Sequence, residues 1–340
     1  MGPVLTTPDT STELDFEAHR RALTGYCYRM LGSGSEAEDA VQETMVRAWR
    51  SADRLQDRAA LKAWLYRIAS NVCLDILQSA QRRAQPMDMG PSSAADAALG
   101  DMLGEHAWVQ PIADARVLPA ESDPAAVADA RESLRLAFVA ALQHLPPKQR
   151  AVLILREVLR WQASEVAELL DTSVASVNSA LQRARATLEA LDLDAGAATG
   201  DAAAIDAQER ELLGRYVDAF ERYDITELVS LLREDATFSM PPFPLWLSGR
   251  DQVGPFMLGT GAKCEGSRLL VARANGGPAV AIYNRTETPG VYAPWALVVV
   301  ETSGGQITGL HHFIFPELFA AFGLPARLEE PVDASGAVEA

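Results

Sequence analysis

The residues of this chain best suited to recognise a polar partner lie on one predicted helix near its middle. Apolar residues recur there at steps of three and four and form a single stripe: Val174, Val177, Leu181, Ala184 and Leu188. Hydroxyl, amide and guanidinium groups occupy other positions: Ser176, Asn178, Ser179, Gln182, Arg183 and Arg185. Such groups bind base edges and phosphates in the major groove of DNA. The pattern favours a nucleic-acid partner, although a plain helical hairpin with solvated arginines has the same spacing.

A short predicted helix precedes this one and completes a motif. Val166, Leu169 and Leu170 give residues 165–170 an apolar face, and Ser164 is a candidate N-cap. Three polar residues, 171–173, separate the two helices, which is sufficient for a helix-turn-helix. The second helix of such a motif lies in the major groove, so we predict that 174–188 is the recognition helix.

Two more amphipathic helices are predicted nearer the N-terminus. Ser35 and Glu38 have the spacing of a capping box and predict the start of the first helix. Four of its residues are predicted to face a core: Ala37, Val41, Ala48 and Trp49. Its outward positions carry acidic, amide and basic groups: Asp39, Gln42, Glu43 and Arg47. The second helix, 61–77, combines basic, amide and aromatic groups, which suit a single nucleic-acid strand.

Three segments in this order resemble parts of one protein family: AEDAVQETMVRAW, LKAWLYRIASNVCLDIL, and LPPKQRAVL followed by the helix-turn-helix. Over about residues 14–193 they are similar to regions 2 and 4 of bacterial sigma-70 factors of the extracytoplasmic-function (ECF) group. The resemblance implies that the chain binds core RNA polymerase, through its clamp helices and flap, and directs it to promoter DNA.

The resemblance also implies roles for single residues. The first N-terminal helix would dock on polymerase through Asp39, Gln42, Glu43 and Arg47. The second would open the minus-10 element and capture a flipped base through Lys62, Trp64, Tyr66, Arg67, Asn71 and Asp75. The recognition helix would read the minus-35 element through Ser176, Asn178, Ser179, Gln182, Arg183 and Arg185, with Arg150 as a phosphate contact. Core packing of Trp64 and Tyr66, and pairing of Asp75 with a nearby arginine, are the competing interpretations.

The net charge of the chain indicates whether it can bind DNA alone or only as part of a larger complex. The chain has a formal net charge of −16, whereas a protein that binds duplex DNA alone is usually basic. Residues 1–195 contain 20 Lys and Arg against 27 Asp and Glu, and residues 84–129 alone contain 1 against 8. The two helical domains are therefore neutral together. Because neutral domains release few counterions, we expect weak duplex binding alone and promoter contact chiefly within a larger complex.

The acidic segment 86–128 is rich in Pro, Ala and Asp, which predicts a linker too poor in apolar residues to order itself. In a sigma factor this connector threads the RNA-exit and active-site region of polymerase. The resemblance therefore suggests that Asp114, Glu121 and Asp123 mimic nascent RNA. A solvated tether whose Trp108 packs on a neighbouring domain is the competing interpretation.

Composition changes again beyond a connector at 194–204. A helix is predicted from 205 to 219 and again from 228 to 232, followed by strands at 236–240, 268–274, 279–285, 295–302 and 306–315. Helices followed by a meander favour an α+β domain whose curved sheet wraps helices. The segment LLGRYVDAFERYDITELVSLLREDATFSMPPFPLWLSGRDQVGPFM is similar to the SnoaL-like, NTF2-like superfamily, and the resemblance covers about residues 205–324.

That second resemblance implies a cone with a pocket. The candidate lining residues are mostly aromatic: Phe238, Phe243, Trp246, Tyr283, Trp295 and His311. Some relatives act as isomerases or cyclases with an Asp or His base. Here no close carboxylate–histidine spacing supports such chemistry, and packing of a small core explains the same residues. His311 and His312 alternate across a strand, so only one of them can face a pocket.

These observations predict a multidomain protein with two all-α helical domains and a C-terminal α+β cone. The predicted boundaries are 14–85 for region 2, 86–128 for the acidic linker, 129–193 for region 4, 194–204 for a second linker, 205–324 for the SnoaL-like domain and 325–340 for a tail. Fusion of such a sigma factor to a SnoaL-like domain is an actinobacterial-type arrangement, and it implies regulation in cis by the cone.

The remaining composition narrows the function classes. Cys27, Cys73 and Cys264 lie far apart without metal-ligand spacing, and no apolar run approaches the ~20 residues of a membrane span. We therefore expect a cytoplasmic monomer that is not an enzyme, needs no cofactor or metal and contacts no membrane; a small ligand in the cone is left open. The alternatives are a stand-alone DNA-binding regulator with a ligand-sensing cone, and a SnoaL-like isomerase or cyclase fused to a DNA-binding module.

Overall fold

The computed structural model describes residues 15–55, 57–78, 82–118, 124–191 and 202–330. Three helices form an N-terminal bundle: α1 (Arg20–Leu31), α2 (Gly34–Arg50) and α3 (Leu61–Leu77). Gly32 joins the first two with a φ of 71°, a left-handed value that favours glycine. The hydroxyl of Ser33 caps α2 by accepting the Glu36 amide. The capping box predicted at Ser35 and Glu38 is therefore wrong, because α2 begins earlier than the sequence suggested.

The inward faces of the bundle largely follow the predicted spacing. Its core includes Tyr26, Met30, Val41 and Leu65, each at most 1% exposed. Trp49 contradicts its predicted place in this core, since it is 74% exposed. It follows Gln42 by seven residues, and at 3.6 residues per turn this spacing puts it beside Gln42 on the outward face.

Residues 82–118, which contain most of the predicted acidic linker, are ordered and pack on the bundle. Trp108 is completely buried and belongs to the apolar cluster that includes the bundle. Arg83 donates to the carbonyl oxygens of Glu105 and Trp108 and forms an ion pair of 2.6 Å with Glu36. A short helix, α4 (Asp114–Val117), ends the described part. The prediction of a segment that cannot order itself is corrected here, because the apolar side chains of the linker are buried in a core that other elements supply.

The helix-turn-helix unit follows the linker. Its elements are α5 (Pro124–Glu132), α6 (Leu136–Leu142), α7 (Pro147–Leu153) with a π-helical extension (Ile154–Val158), α8 (Ala163–Leu169) and α9 (Val174–Glu189). The Gln162 and Glu165 side chains form the capping box of α8, so the predicted N-cap Ser164 lies inside the helix. The Ser173 hydroxyl accepts the Ser176 amide and starts α9.

The cone, residues 202–330, combines four helices with a sheet. Its helices are α10 (Ala202–Glu221), α11 (Ile225–Ser230), α12 (Arg250–Leu258) and α13 (Leu318–Ala321). Its strands are β1 (Leu232–Ser239), β2 (Trp246–Ser248), β3 (Arg268–Ala274), β4 (Gly277–Arg285), β5 (Val291–Ser303), β6 (Gln306–Phe313) and β7 (Leu328–Glu329). In this described range the strand order is β2-β1-β6-β5-β4-β3, with β7 on β5, and only the β1–β6 pair is parallel.

Both faces of this sheet are buried, because side chains alternate along each strand. Phe238, Val280 and Val298 belong to a core that includes residues of α10, α11 and α12. Ala281, Leu297 and Val299 belong to one continuous apolar cluster with the N-terminal bundle and the helix-turn-helix unit. The cone is thus docked on the helical units. Among the described helices, none is both long enough and apolar enough to cross a membrane.

Candidate nucleic-acid interface

The recognition helix α9 buries one side and leaves the other accessible. Val177, Ala180, Leu181 and Ala184 are buried. Val174, predicted in the same stripe, is 44% exposed because it lies in the first turn. All six residues predicted to read the minus-35 element are exposed on this helix: Ser176, Asn178, Ser179, Gln182, Arg183 and Arg185. The helix therefore offers a continuous polar face to a partner.

The two arginines of this face are held differently. The Arg183 guanidinium donates to the Ser179 hydroxyl at 2.7 Å, one turn earlier on the same exposed face. The Arg185 guanidinium instead forms an ion pair of 2.6 Å with Glu157, in the π-helical segment after α7. Arg183 is thus held on the exposed face of α9, whereas Arg185 is already paired with a carboxylate and would have to leave it to bind a phosphate.

The residues predicted to bind the minus-10 element lie on α3 but differ in access. Lys62, Arg67 and Asn71 are exposed. Asp75 is exposed and lies 3.5 Å from the Arg47 guanidinium, the ion pair expected as one alternative. Trp64 is half-buried near Phe16, with ring centroids 6.4 Å apart.

Tyr66 does not have the access that its predicted DNA contact requires. It is 1% exposed and lies against two aromatic rings, Tyr26 at 5.3 Å and Trp161 at 5.2 Å between centroids. Burial raises the pKa of Tyr66 to about 12. The prediction is wrong for this arrangement, because Trp161, from the loop before α8, covers a ring that the α3 sequence alone leaves facing outward.

A groove runs beside the second half of α3. Its volume is about 500 Å³, and its walls come from α3 and from the start of α7: Asn71, Leu74, Asp75, Leu77, Gln78, Pro146, Pro147 and Lys148. Amide and carboxylate groups alternate there with leucine and proline surfaces, and Lys148 adds a positive charge. Polar edges beside flat apolar walls are suited to an unstacked base and its phosphate.

The face predicted to dock on polymerase is exposed on α2. Asp39, Gln42, Glu43 and Arg47 all contact solvent, and Glu43 pairs with Arg47 at 2.7 Å. Trp49 extends this face, and sequence reasoning assigned it to the core. Its spacing of seven from Gln42 was the signal that could have placed it outside. An exposed indole next to charged groups is typical of an interface residue.

Comparison with known proteins agrees with this geometry. The chain matches Sigma-70 region 2 over residues 16–83 and Sigma-70, region 4 over residues 135–188. It is 41% identical over 325 residues to the ECF RNA polymerase sigma factor SigG of Mycobacterium tuberculosis, covering 92% of this chain and 85% of SigG. This chain belongs to the ECF sigma factor family. The crystal structure of SigJ, from the same organism, matches this sigma factor with a TM-score of 0.60 and 25% identity, over 92% of this chain and 99% of SigJ.

The match with SigJ extends through the cone and confirms the predicted fold class. The N-terminal bundle corresponds to region 2 of this sigma factor, and the helix-turn-helix unit contains region 4. Sequence analysis therefore identified the family and the order of its parts. It did not anticipate that the two regions pack against each other.

Two buried arginines join region 2 to region 4. Arg29 of α1 donates to the carbonyl oxygen and the hydroxyl of Ser133, at 3.0 and 2.6 Å. Arg150 of α7 donates in return to the carbonyl oxygen of Met30, and also to the oxygens of Gln143. Burial lowers the pKa of each guanidinium to about 10. Arg150 cannot be the predicted phosphate contact in this arrangement, because it is 4% exposed and its donors serve oxygens of the chain itself.

The cone closes the same junction through one hairpin turn. Asn275 and Gly276 join β3 to β4 with φ values of 56° and 78°, which favour Asn-Gly. The Asn275 amide nitrogen donates to the Tyr28 hydroxyl at 2.6 Å and to the Leu134 carbonyl at 2.8 Å, while its oxygen accepts the Ile112 amide at 3.1 Å. Asp114 accepts the Gly276 amide and an Arg273 donor. One turn thus links region 2, the linker and the unit that carries region 4.

The six candidate pocket residues do not line one cavity, so that prediction is corrected. Phe238, Phe243 and Trp295 pack in the core of the cone. Tyr283 belongs to the cluster on the opposite sheet face, and His311 pairs across strands with Val299 of that cluster. Trp246 donates to the Gly90 carbonyl of the linker. The alternation of side chains along β4 and β6 causes the split.

The buried polar groups His311 and Glu301 of the cone contact other groups of the chain itself. His311 lies between the Ser239 hydroxyl, at 2.8 Å, and Glu301, at 3.5 Å. Burial raises the pKa of Glu301, but His311, Arg135 and the Ala137 amide outweigh it and leave the pKa below its usual value. The core of the cone contains a cavity of about 20 Å³ among apolar side chains, room for about one water. No cluster of metal-ligating groups occurs among the described residues.

Proposed function

We propose that this sigma factor binds core RNA polymerase through the exposed face of α2 and directs promoter-specific initiation. In this proposal α9 reads the minus-35 element, α3 opens and holds the minus-10 element, and the cone modulates both steps in cis. The observation that carries it is the pair of reading helices, α3 and α9. Each lies in the matched sigma region and presents the predicted polar groups, with Tyr66 as the exception.

The charge of the chain supports dependence on polymerase. The formal net charge is −16, and the two helical domains together are neutral. Neutral domains release few counterions from duplex DNA, so specific contacts have to act within a larger complex. A stand-alone regulator would instead bind duplex tightly without polymerase.

The compact arrangement supports modulation by the cone. Helix α8 contacts α3, and α9 packs on α8, so the two reading helices lie within about two helix-packing distances, or roughly 20 Å. About 25 base pairs between the minus-35 and minus-10 positions span roughly 85 Å of DNA at about 3.4 Å per base pair. Region 4 therefore has to leave region 2 before both elements are bound. The Asn275 turn contacts both regions and opposes that separation.

We also propose that the cone is regulatory and not catalytic. Burial, and after it the nearby His311, lowers the pKa of His312 to about 3, so that this imidazole stays neutral inside the core. His311 faces the cluster shared with the helical units, away from α10, α11 and α12. A monomeric, cytoplasmic protein follows from the same role.

Transcription from fragmented genomic DNA of the source organism tests the proposal, because such a template contains the promoters of the whole genome. Core polymerase is supplied with the full-length chain, with the variant Asp39→Asn/Glu43→Gln, with the matched surface variant Glu168→Gln, or with no addition, and the RNA 5′ ends are sequenced. We expect a discrete set of start sites with the wild type and the surface variant, and their loss with the α2 variant. Tight duplex binding by the chain alone, without start sites, would instead support the stand-alone regulator.

A further inference from the structure

The stacking surface of α3 is already occupied by a side chain of the helix-turn-helix unit. The Trp161 indole packs against the Tyr66 ring in a tilted contact, with 5.2 Å between centroids and an interplanar angle of 56°. The Lys62 ammonium lies 5.9 Å from the centroid of the same indole. The indole is thus held between an aromatic ring and a cation, and it is 9% exposed.

The backbone around Trp161 directs it to this place. The preceding residue, Arg160, has a φ of 59°, a left-handed value that a non-glycine residue adopts only where the surrounding structure holds it. The Trp161 amide donates to the Leu155 carbonyl at 3.0 Å, and the Arg156 guanidinium donates to the Trp161 carbonyl. The loop between the π-helical segment and α8 is therefore fixed with its indole toward α3.

The aromatic ring and the cation beside the indole are groups that proteins also use to hold a nucleobase. Proteins hold unstacked bases by stacking them on aromatic rings beside a basic groove, and cations add attraction over a ring face. We infer that Trp161 occupies the position of an unpaired base of the minus-10 strand and competes with that base for Tyr66 and Lys62. The inference deepens the proposed function, since it rests on the role given there to α3.

Next to the Tyr66 ring that Trp161 covers, the second half of α3 is accessible to a partner. Arg67 and Asn71 are exposed, and the groove of about 500 Å³ beyond them is open between α3 and the start of α7. A single strand can therefore first contact the second half of α3 and then displace the indole. Strand capture and release of region 4 become one coupled step, because the ring that leaves Tyr66 belongs to the helix-turn-helix unit.

Binding of a single strand by the full-length chain tests the inference. The probe is a fluorescein-labelled 12-nucleotide single-stranded DNA of mixed sequence, followed by fluorescence anisotropy. Trp161→Leu removes the competing ring, so we expect about tenfold tighter binding than wild type, within the range that base–aromatic stacking gives. Trp161→Phe keeps a smaller ring and should fall between the two. Trp246→Leu, a half-buried tryptophan at the contact between cone and linker, is the matched control and should bind like wild type.

A second measurement observes the indole itself in the wild-type chain. Tryptophans are labelled with fluorine, and the Trp161 resonance is assigned by its absence from Trp161→Phe. Saturating single strand should move this resonance toward the position of a solvated indole and leave that of Trp108 unchanged. This measurement stands even if Trp161→Leu fails to fold.

The outcomes separate the inference from the proposed function. Unchanged or weaker binding by Trp161→Leu that folds, an unmoved Trp161 resonance, or an equal gain with Trp246→Leu each overturns the inference, while start-site mapping with wild type continues to support a sigma factor. If the wild type gives no specific start sites in that mapping, the proposed function is overturned, and with it the assignment of the competing base to the minus-10 strand.

Discussion

The two DNA-reading helices of this sigma factor differ in access. Helix α9 exposes all six residues predicted to read duplex DNA, whereas α3 has its stacking residue Tyr66 covered by Trp161. If the two helices have the proposed roles, the duplex-reading face of α9 is already accessible, whereas capture of a melted strand by α3 requires a rearrangement. On the proposed function, the covered Tyr66 adds a requirement at promoter opening to the separation of region 4 from region 2.

The cone contributes to this difference although it touches neither reading face. Its Asn275 turn bonds to Tyr28 in the bundle, to Leu134 ahead of α6 and to the linker at Ile112. These bonds cannot all persist when region 4 moves away from region 2. On the proposed function, the cone thus favours the arrangement in which Trp161 covers Tyr66 and region 4 stays beside region 2.

Replacement of Asn275 gives the largest expected effect. Asn275→Leu removes the side-chain hydrogen bonds and leaves the Leu134 carbonyl and the Ile112 amide buried without them, which should lower the free energy of unfolding by about 3 kcal/mol. Hydrogen exchange should increase in α3 and α8, and denaturant unfolding measures the stability. Asn284→Leu is the control, because Asn284 accepts the Ser267 hydroxyl within the cone. Equal hydrogen exchange in α3 for both variants would show that the Asn275 turn does not keep Trp161 on Tyr66.

Acid should destabilise the folded chain through His312, in the core of the cone. Burial lowers the pKa of His312 from 6.5 to about 3 in the folded chain, so the unfolded chain takes up the proton first as the pH falls. The free energy of unfolding has its full value above pH ~6.5 and decreases as the pH falls toward ~3. At pH ~4.5 the decrease is roughly 2 to 3 kcal/mol.

His312→Phe should remove this part of the acid sensitivity, because phenylalanine keeps a ring beside Phe238, where the centroids are now 4.4 Å apart. Denaturant unfolding from pH 7 down to pH ~4.5 measures it against the exposed control His106→Phe. A parallel decline of all three proteins would assign the acid sensitivity to other groups.

Replacement of Arg183, on the accessible face of α9, should have a smaller effect than the changes at Asn275 and His312. Arg183→Ala deletes a guanidinium on the accessible side of α9, and the expected loss is about 2 kcal/mol of promoter affinity, or roughly thirtyfold. Competitive binding of the holoenzyme to a mapped promoter measures it. Arg185→Ala should lose less, because Arg185 is paired with Glu157 before it meets DNA. A larger loss for Arg185 would reverse the assignment of the two arginines.

Sequence patterns correctly predicted the features that residues close together in the chain determine, namely the exposed face of a helix and the positions of the longer strands. The spacing of Val177, Leu181 and Ala184 located the reading face of α9, and the strand patterns located β1, β3, β4, β5 and β6. The short β2 and β7, and helix α12 with Pro255 inside it, carry weak periodicity and were missed. The Asn-Gly pair at 275–276 is a hairpin signal that could have been used.

The errors at Tyr66, Arg150 and the linker concern contacts between distant parts of the chain. Tyr66 and Arg150 have polar or aromatic groups that suit DNA, and the sequence contains no local sign that Trp161 covers one and that Met30 accepts from the other. The composition of the linker cannot build a core and predicts a tether that does not order itself. The competing interpretation, in which Trp108 packs on a neighbouring domain, is the one that the structure favours, since Trp108 is buried in the apolar cluster that includes α1, α2 and α3. Docking depends on the shapes of whole units, which periodicity within one helix does not describe.

The smallest expected effect concerns the exposed end of α3. Asp75 and Arg47 are 3.5 Å apart with side chains 60% and 43% exposed, and exposed pairs of this kind contribute little to stability. Asp75→Asn should therefore change the free energy of unfolding by less than about 0.5 kcal/mol. It should also bind the single strand slightly more tightly, because a carboxylate beside the phosphate path is removed while an amide remains available for a base edge. Anisotropy with the 12-nucleotide probe, against Asp171→Asn on the exposed turn before α9, measures the change. Weaker binding by Asp75→Asn would mean that the carboxylate accepts a hydrogen bond from a base, and that the open half of α3 reads sequence before Trp161 is displaced.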